Sequence, residues 1–189
     1  MRFYHGSPVT NITVLQPHVS NHGEPWVYLS SKRENTIVYL SNAIERFYRD
    51  KGLKHEGNFY KWASYGFNKE GVLVVEEYYP NATEETYRGV SGFIYCTDNV
   101  EDYILQKDIP FAAISNKPVQ VVSVEYIADA YEELLKLEKD KKIIIRRYEE
   151  NSDGKKMWIE KVIREDFNIY QSRLDYITFL KGKFPFLSE

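Results

Sequence analysis

The chain has 189 residues, 43% of them hydrophobic and 28% charged, the balance of a soluble globular protein with room for a core and a terminal extension. A formal net charge of -3 gives no general basic field, so stable nucleic-acid binding is not expected. Cys96 is the one cysteine, which excludes an intramolecular disulfide and a cysteine-rich zinc site, and no apolar run approaches the roughly 20 residues that span a bilayer.

Without an apolar leader before Arg2 and His5, a cytoplasmic protein with no membrane partner is expected. Arg2 to His5 read as a short strand that stops in a tight turn at Gly6-Ser7-Pro8. Ile12 to Leu15 is extended, and residues 16 to 25, with Pro17, Gly23 and Pro25, form a loop. Within it His18 and His22 stand four apart, but the bracketing proline and glycine favour solvated side chains over a metal pair. Trp26 to Ser30 is the second strand.

Ser31 and Glu34 have the spacing of a capping box and predict a helix from about Lys32 to Leu40. A further helix over Ala43 to Lys51 sets Ile44, Phe47 and Tyr48 on one face. Lys54 to Gly71, with Trp62, Tyr65 and Phe67, reads as short strands or a loop. Strands follow at Val72 to Tyr78 and Gly92 to Cys96, with Pro80 to Arg88 between them. Asn99 to Gln106 reads as a short helix or capped turn. Val119 to Ile127 is a long β-branched run whose weak alternation predicts a strand buried on both faces. Asp129 starts an amphipathic helix to Lys139, and Lys142 to Tyr148 is a last strand. From Lys155 on, a helical period continues through Leu180.

Many short strands with helices at one side and no regular βαβ order argue an α+β domain over residues 1–150, with a C-terminal helical extension over 151–189 packed on it. No Rossmann glycine fingerprint or Walker sequence is present. Tyr87-Arg88-Gly89-Val90-Ser91-Gly92 offers two glycines and an arginine to a phosphate, though a hairpin or bulge explains it as well. Lys139 to Arg147 is cationic and reads as a solvated strand edge.

Two motifs stand out. His5-Gly6-Ser7 closes the first strand, and Tyr28-Leu29-Ser30 closes the second just before a helix. In this order they resemble the ADP-ribosyltransferase fold, in the His–Tyr–acidic branch that includes poly-ADP-ribose polymerases and small rifampicin-inactivating transferases. The segment Tyr87 to Tyr95 is also similar to one shared by a group of bacterial proteins with no assigned activity. The resemblance covers about Met1 to Tyr148. It implies split mixed and antiparallel β-sheets with flanking helices, and NAD held as a substrate without a metal.

By that resemblance His5 bonds the ribose hydroxyls, Gly6 offers backbone groups to the carboxamide, and Tyr28 stacks on the nicotinamide, with Ser7 and Ser30 lining the same pocket. A carboxylate must then stabilise the positive charge that develops on the sugar. Glu101 and Asp102 follow the Gly-Phe-Ile-Tyr strand, where the small drug-modifying transferases carry theirs, and rank first. Glu125, within the long apolar strand, is next, while Glu76, Glu77, Glu84 and Glu85 read as solvated surface.

The functional expectation is an NAD-binding ADP-ribosyltransferase-like protein that moves ADP-ribose to an acceptor (protein, nucleic acid or small molecule) which the sequence does not name. The alternatives are a non-catalytic nucleotide- or partner-binding module on the same fold, or a toxin or phage-defence component.

Overall fold

The computed structural model describes residues 1–19, 23–55, 64–98 and 100–188. His22, Trp62 and Asn99, which figure in the expectations above, lie outside them. The elements in chain order are β1 (Phe3–Ser7), β2 (Val14–Leu15), β3 (His18–Val19), β4 (Pro25–Ser30), a 3-10 helix (Arg33–Tyr39), α1 (Ala43–Asp50), β5 (Tyr65–Phe67), β6 (Leu73–Glu76), α2 (Ala82–Tyr87), β7 (Gly92–Thr97), β8 (Ile104–Leu105), β9 (Ala112–Ser115), β10 (Val119–Gln120), β11 (Ser123–Ile127), α3 (Ala130–Lys139), β12 (Ile143–Arg146), α4 (Asp153–Ile169) and α5 (Leu174–Lys183). The chain is mixed α+β with several antiparallel sheets.

Two compact units are interleaved along the sequence, so the division is not a single cut after residue 150. The first contains Met1–Ser41, Gly66–Val74 and Tyr87–Ile144; the second contains Asn42–Tyr65, Val75–Thr86 and Ile145–Glu189. A three-stranded sheet has the order β12-β6-β5.

The first unit is built on a sheet in the order β11-β7-β1-β4-β9-β8, with β3 added on β4 and a small β10-β2 pair beside it. Phe3, Leu15, Val27, Leu29, Ala113 and Val119 form its core, and Tyr103 meets Phe3 edge-on at 4.8 Å between centroids. Full burial of each large side chain contributes about 1.5–3 kcal/mol. The 3-10 helix packs so closely on β1 that a Cβ on Gly6 would lie 2.2 Å from the Thr36 carbonyl oxygen.

Several expectations change here. Residues 33–39 form a 3-10 helix started by Lys32 without a side-chain cap, so the Ser31/Glu34 capping box is not made. Ser31 instead donates to the Phe111 carbonyl at 3.4 Å. The β-branched run Thr36-Ile37-Val38 suits a short tight helix packed on a sheet better than a long α-helix. The run from Val119 to Ile127 divides into β10 and β11, and β11 is an edge strand with four of its five residues exposed, so it is not buried on both faces. Residues 104–105 are strand β8, paired with β9, where a helix or turn was expected.

The Tyr87–Gly92 segment is neither a hairpin nor a phosphate loop. It is the exit of α2 into β7, with Gly89 at φ +70° as the turn requires. The Gly89 amide donates to Asp129 at 2.8 Å, Arg88 stacks over the Tyr131 ring at 4.5 Å and meets Glu132, and the Tyr87 hydroxyl donates to the Val38 carbonyl at 3.1 Å. Asp129 also caps α3 through the amides of Tyr131 and Glu132. Partial desolvation opposes ionisation there, but these amide bonds outweigh it and hold the Asp129 carboxyl below the usual range.

The second unit is helical and aromatic. Asn42 caps α1 by accepting from the amides of Ile44 and Glu45. Phe47, Tyr48, Tyr79, Tyr176, Phe179 and Phe184 are buried with Ile44, Ile159, Ile163 and Leu180. Glu77, expected on the solvated surface, is 3% exposed: its carboxylate accepts from the amides of Thr83 at 3.0 Å and Tyr148 at 3.2 Å. A carboxylate with two amide donors is accommodated in a core where an unpartnered one is not.

Candidate functional site at the junction of β1 and β4

β1 pairs with β7 over five residues, from Phe3 opposite Thr97 to Ser7 opposite Phe93. β4 pairs with β9 over four, from Val27 opposite Ser115 to Ser30 opposite Ala112. Between these two halves, β1 and β4 share one pair, Tyr4 opposite Ser30. Beyond that pair the ladder does not continue, although both strands do.

His5 stands where the strands part. Its Nδ1 lies 2.8 Å from the Tyr28 carbonyl oxygen, an acceptor that an unbroken antiparallel ladder would satisfy with a backbone amide of β1. A carbonyl only accepts, so Nδ1 carries the proton of this bond. The side chain thus bridges the two halves of the sheet.

Counted from the Tyr4–Ser30 pair, strand alternation puts His5 and Ser7 on the side of Phe3 and puts Tyr28 and Ser30 on the side of Tyr4. One sheet face therefore does not present both rings, and a ligand touching both must reach into the gap between the strands. The side-chain space at Gly6 is filled by Thr36, so absence of a Cβ there admits the chain's own helix. Its backbone remains in register with Ile94. Ser7 and Ser30 are both buried, and their hydroxyls accept from the amides of Val9 at 3.2 Å and Lys32 at 3.1 Å, which shapes the turns after each strand.

The candidate carboxylates fall at two places in the fold: Glu101 and Asp102 are neighbours after β7, and Glu125 lies on β11. Glu101 is exposed on the segment between β7 and β8. Asp102, at φ +54°, pairs with Lys117; both are exposed, and Lys117 holds the Asp102 carboxyl below its ordinary range. This segment leaves β7 at Thr97, the end facing Phe3, so it departs from the opposite end of β1 to Gly6 and Ser7.

Glu125 is in register with the motif strand. It lies opposite Ile94, which lies opposite Gly6, so its Cα is two strand spacings or about 10 Å from that of Gly6. Alternation also puts it on the side of Gly6 and Tyr28. Arg33 grips it with two hydrogen bonds, of 2.7 and 2.6 Å, and reaches Glu133 at 2.8 Å with its remaining nitrogen. The Arg33 hydrogen bonds hold the Glu125 carboxyl below the usual range against partial desolvation, and Arg33 is itself raised above an ordinary guanidinium. The sequence ranks Glu125 after Glu101 and Asp102; the strand register favours Glu125.

Arg33 is the residue of this site that the sequence did not single out. It sits between serine, lysine and glutamate in a segment that reads as a helix start, and its partners are about a hundred residues away. Among the described residues no group of three or more His, Cys, Asp or Glu is placed to hold a metal, and no helix is long and apolar enough to cross a membrane. No protein-family model, no curated protein and no solved structure matches this chain.

Proposed function

We propose that the protein binds NAD in the gap between β1 and β4 and transfers its ADP-ribose to an acceptor. The observation that carries this reading is the parting of two central strands after one residue pair, with the His5 imidazole on the Tyr28 carbonyl at the fork. In the reaction the bond between nicotinamide nitrogen and ribose C1′ breaks, its electron pair leaves with nicotinamide, and an acceptor nucleophile forms the new bond to C1′ and releases its proton. The His5 imidazole bonds a ribose hydroxyl, the Tyr28 ring stacks on nicotinamide, and the Gly6 backbone holds the carboxamide. Ser7 and Ser30 support the two turns. Glu125, kept anionic by Arg33, supplies negative charge toward the developing cation.

A second reading rests on the same salt bridge. With Glu125 held by Arg33 and Asp102 by Lys117, the fold binds a nucleotide without turning it over. Nicotinamide release measured beside NAD affinity separates the two. Under the first reading, Tyr28→Ala weakens NAD binding by about 1–3 kcal/mol, and Glu125→Gln lowers release by a factor of about a hundred or more while affinity stays within a few-fold. Binding without release supports the second reading. Absence of NAD binding rejects both.

A further inference from the structure

We propose that this chain forms a two-fold dimer by antiparallel pairing of strand β11 with β11 of a second copy. The observation concerns the open edge of the sheet and does not need NAD to bind, although β11 also carries Glu125. β11 terminates the seven-stranded sheet, and among the described residues no strand pairs with its outer side. Its backbone groups on that side are a template for another extended segment, the situation that exposed sheet edges usually avoid with charge, proline or cover. On one face of this edge the exposed side chains are apolar, Val122, Val124 and Tyr126 at 55%, 56% and 61%, while Ser123 and Glu125 are exposed on the other face. Tyr126 rests on Phe93 at 5.4 Å, so the apolar surface continues inward onto β7.

The sequence of the strand selects both the partner and the register. With Val124 opposite Val124 of the second copy, Tyr126 faces Val122 and Glu125 faces Ser123, a neutral hydrogen-bonding side chain. Moving the centre to Glu125 sets two carboxylates directly opposite, which is unfavourable. A shift by a single residue puts the apolar side of one copy against the Glu125 side of the other. Each Glu125 is already paired with Arg33 of its own chain, so a centre at Val124 brings no unpaired charge to the seam. A second copy fits this edge because the pattern Val122-Ser123-Val124-Glu125-Tyr126 is self-complementary about its middle residue.

Sedimentation equilibrium of the full chain over micromolar concentrations is expected to give a dimer, and Val124→Lys a folded monomer whose melting temperature matches that of wild type diluted until it dissociates, since that side chain is exposed in the single chain. Cysteine variants read the register. Residues facing each other across the two-fold have Cβ atoms about 4.5–5.5 Å apart, near disulfide reach, so Val124→Cys is expected to give a linked dimer under mild oxidation. Tyr126 and its counterpart are offset by four residues, about 13 Å, so Tyr126→Cys is expected not to link. The native Cys96 is buried and serves as the background. A monomer at every concentration, a dimer indifferent to Val124→Lys, or linking of Tyr126→Cys as readily as Val124→Cys would each overturn the proposal.

Discussion

The two units solve the problem of burial differently. In the first, a mostly aliphatic core around Phe3 packs on an antiparallel sheet, and the tightest constraints are close approaches at glycine, Gly6 beneath Thr36 and Gly92 beneath Leu40, with one ladder that stops after a single pair. In the second, rings pack edge to face, as with Phe47 on Phe179 at 5.7 Å and Tyr79 on Phe184 at 5.8 Å. Six of the sixteen tyrosines, Tyr48, Tyr78, Tyr79, Tyr148, Tyr170 and Tyr176, belong to that second core or pack against it. The unusual tyrosine content is therefore in part a means of filling volume while keeping a polar tip, as where the Tyr176 hydroxyl donates to Asp166 at 2.6 Å. Aromatic abundance in a sequence is weak grounds for a stacking ligand until its rings are located.

If ring packing holds the second unit, its largest loss should come from Phe179, which is fully buried. Phe179→Ala is expected to lower unfolding free energy by about 3–5 kcal/mol in denaturant titration. Hydrogen exchange should then show α4 and α5 amides losing protection before those of β1 and β7. Loss of protection in the reverse order would break the contrast between the units.

The backbone constraint of the first unit is probed by Gly6→Ala, whose new methyl meets a carbonyl that cannot swing aside. Its expected cost is about 1–3 kcal/mol, read as a fall in denaturation midpoint. Gly66→Ala is the matched control: nothing lies within 4 Å of its added Cβ and its φ is not in the left-handed region, so the change should stay within about 0.5 kcal/mol. Equal effects at both positions would remove the argument from close approach.

Tyr87→Phe tests a single buried hydrogen bond in the first unit. It leaves the ring in place and the Val38 carbonyl without that donor, for an expected loss of about 1 kcal/mol by the same titration. The smallest effect is at Glu125. Its folded-state pKa is depressed, so its stabilising contribution is present above the unfolded carboxyl value of 4.5 and is lost as pH falls through the lower folded value. The side chain is 51% exposed, so solvent screening limits the pair to about 0–1 kcal/mol. Glu125→Gln should lower stability at neutral pH by that amount, match the wild type below the folded pKa, and so flatten the acid limb of a stability–pH curve.

Local signals in the sequence carried much of the fold. Asn42 and Asp129 cap helices that begin at Ala43 and Ala130, and Ile44, Phe47 and Tyr48 are the buried face of α1. What failed depended on partners remote in sequence. The run Val119 to Ile127 has the composition of a central strand, yet Val122, Val124 and Tyr126 are exposed, because burial of a strand is decided by how many neighbours the topology gives it. Glu77 looked like surface because nothing in Glu76-Glu77 announces two amide donors from Thr83 and Tyr148. At the candidate site, the two strand-end motifs were legible and do lie on neighbouring strands. The Arg33–Glu125 grip and the faces of His5 and Tyr28 were not, since both follow from register rather than from motif.

The interleaving of the units has a consequence for how the chain is made. The ring-bearing face of α1, with Ile44, Phe47 and Tyr48, is synthesised roughly a hundred residues before Ile159, Ile163, Phe179 and Leu180, which complete its core. At ribosomal rates of about 5–20 residues per second, that apolar face waits on the order of 5–20 seconds for its cover. During that interval it is a natural ligand for a holding chaperone. A chain released before α4 and α5 have emerged keeps the face open permanently, and quality control can recognise it by that exposure.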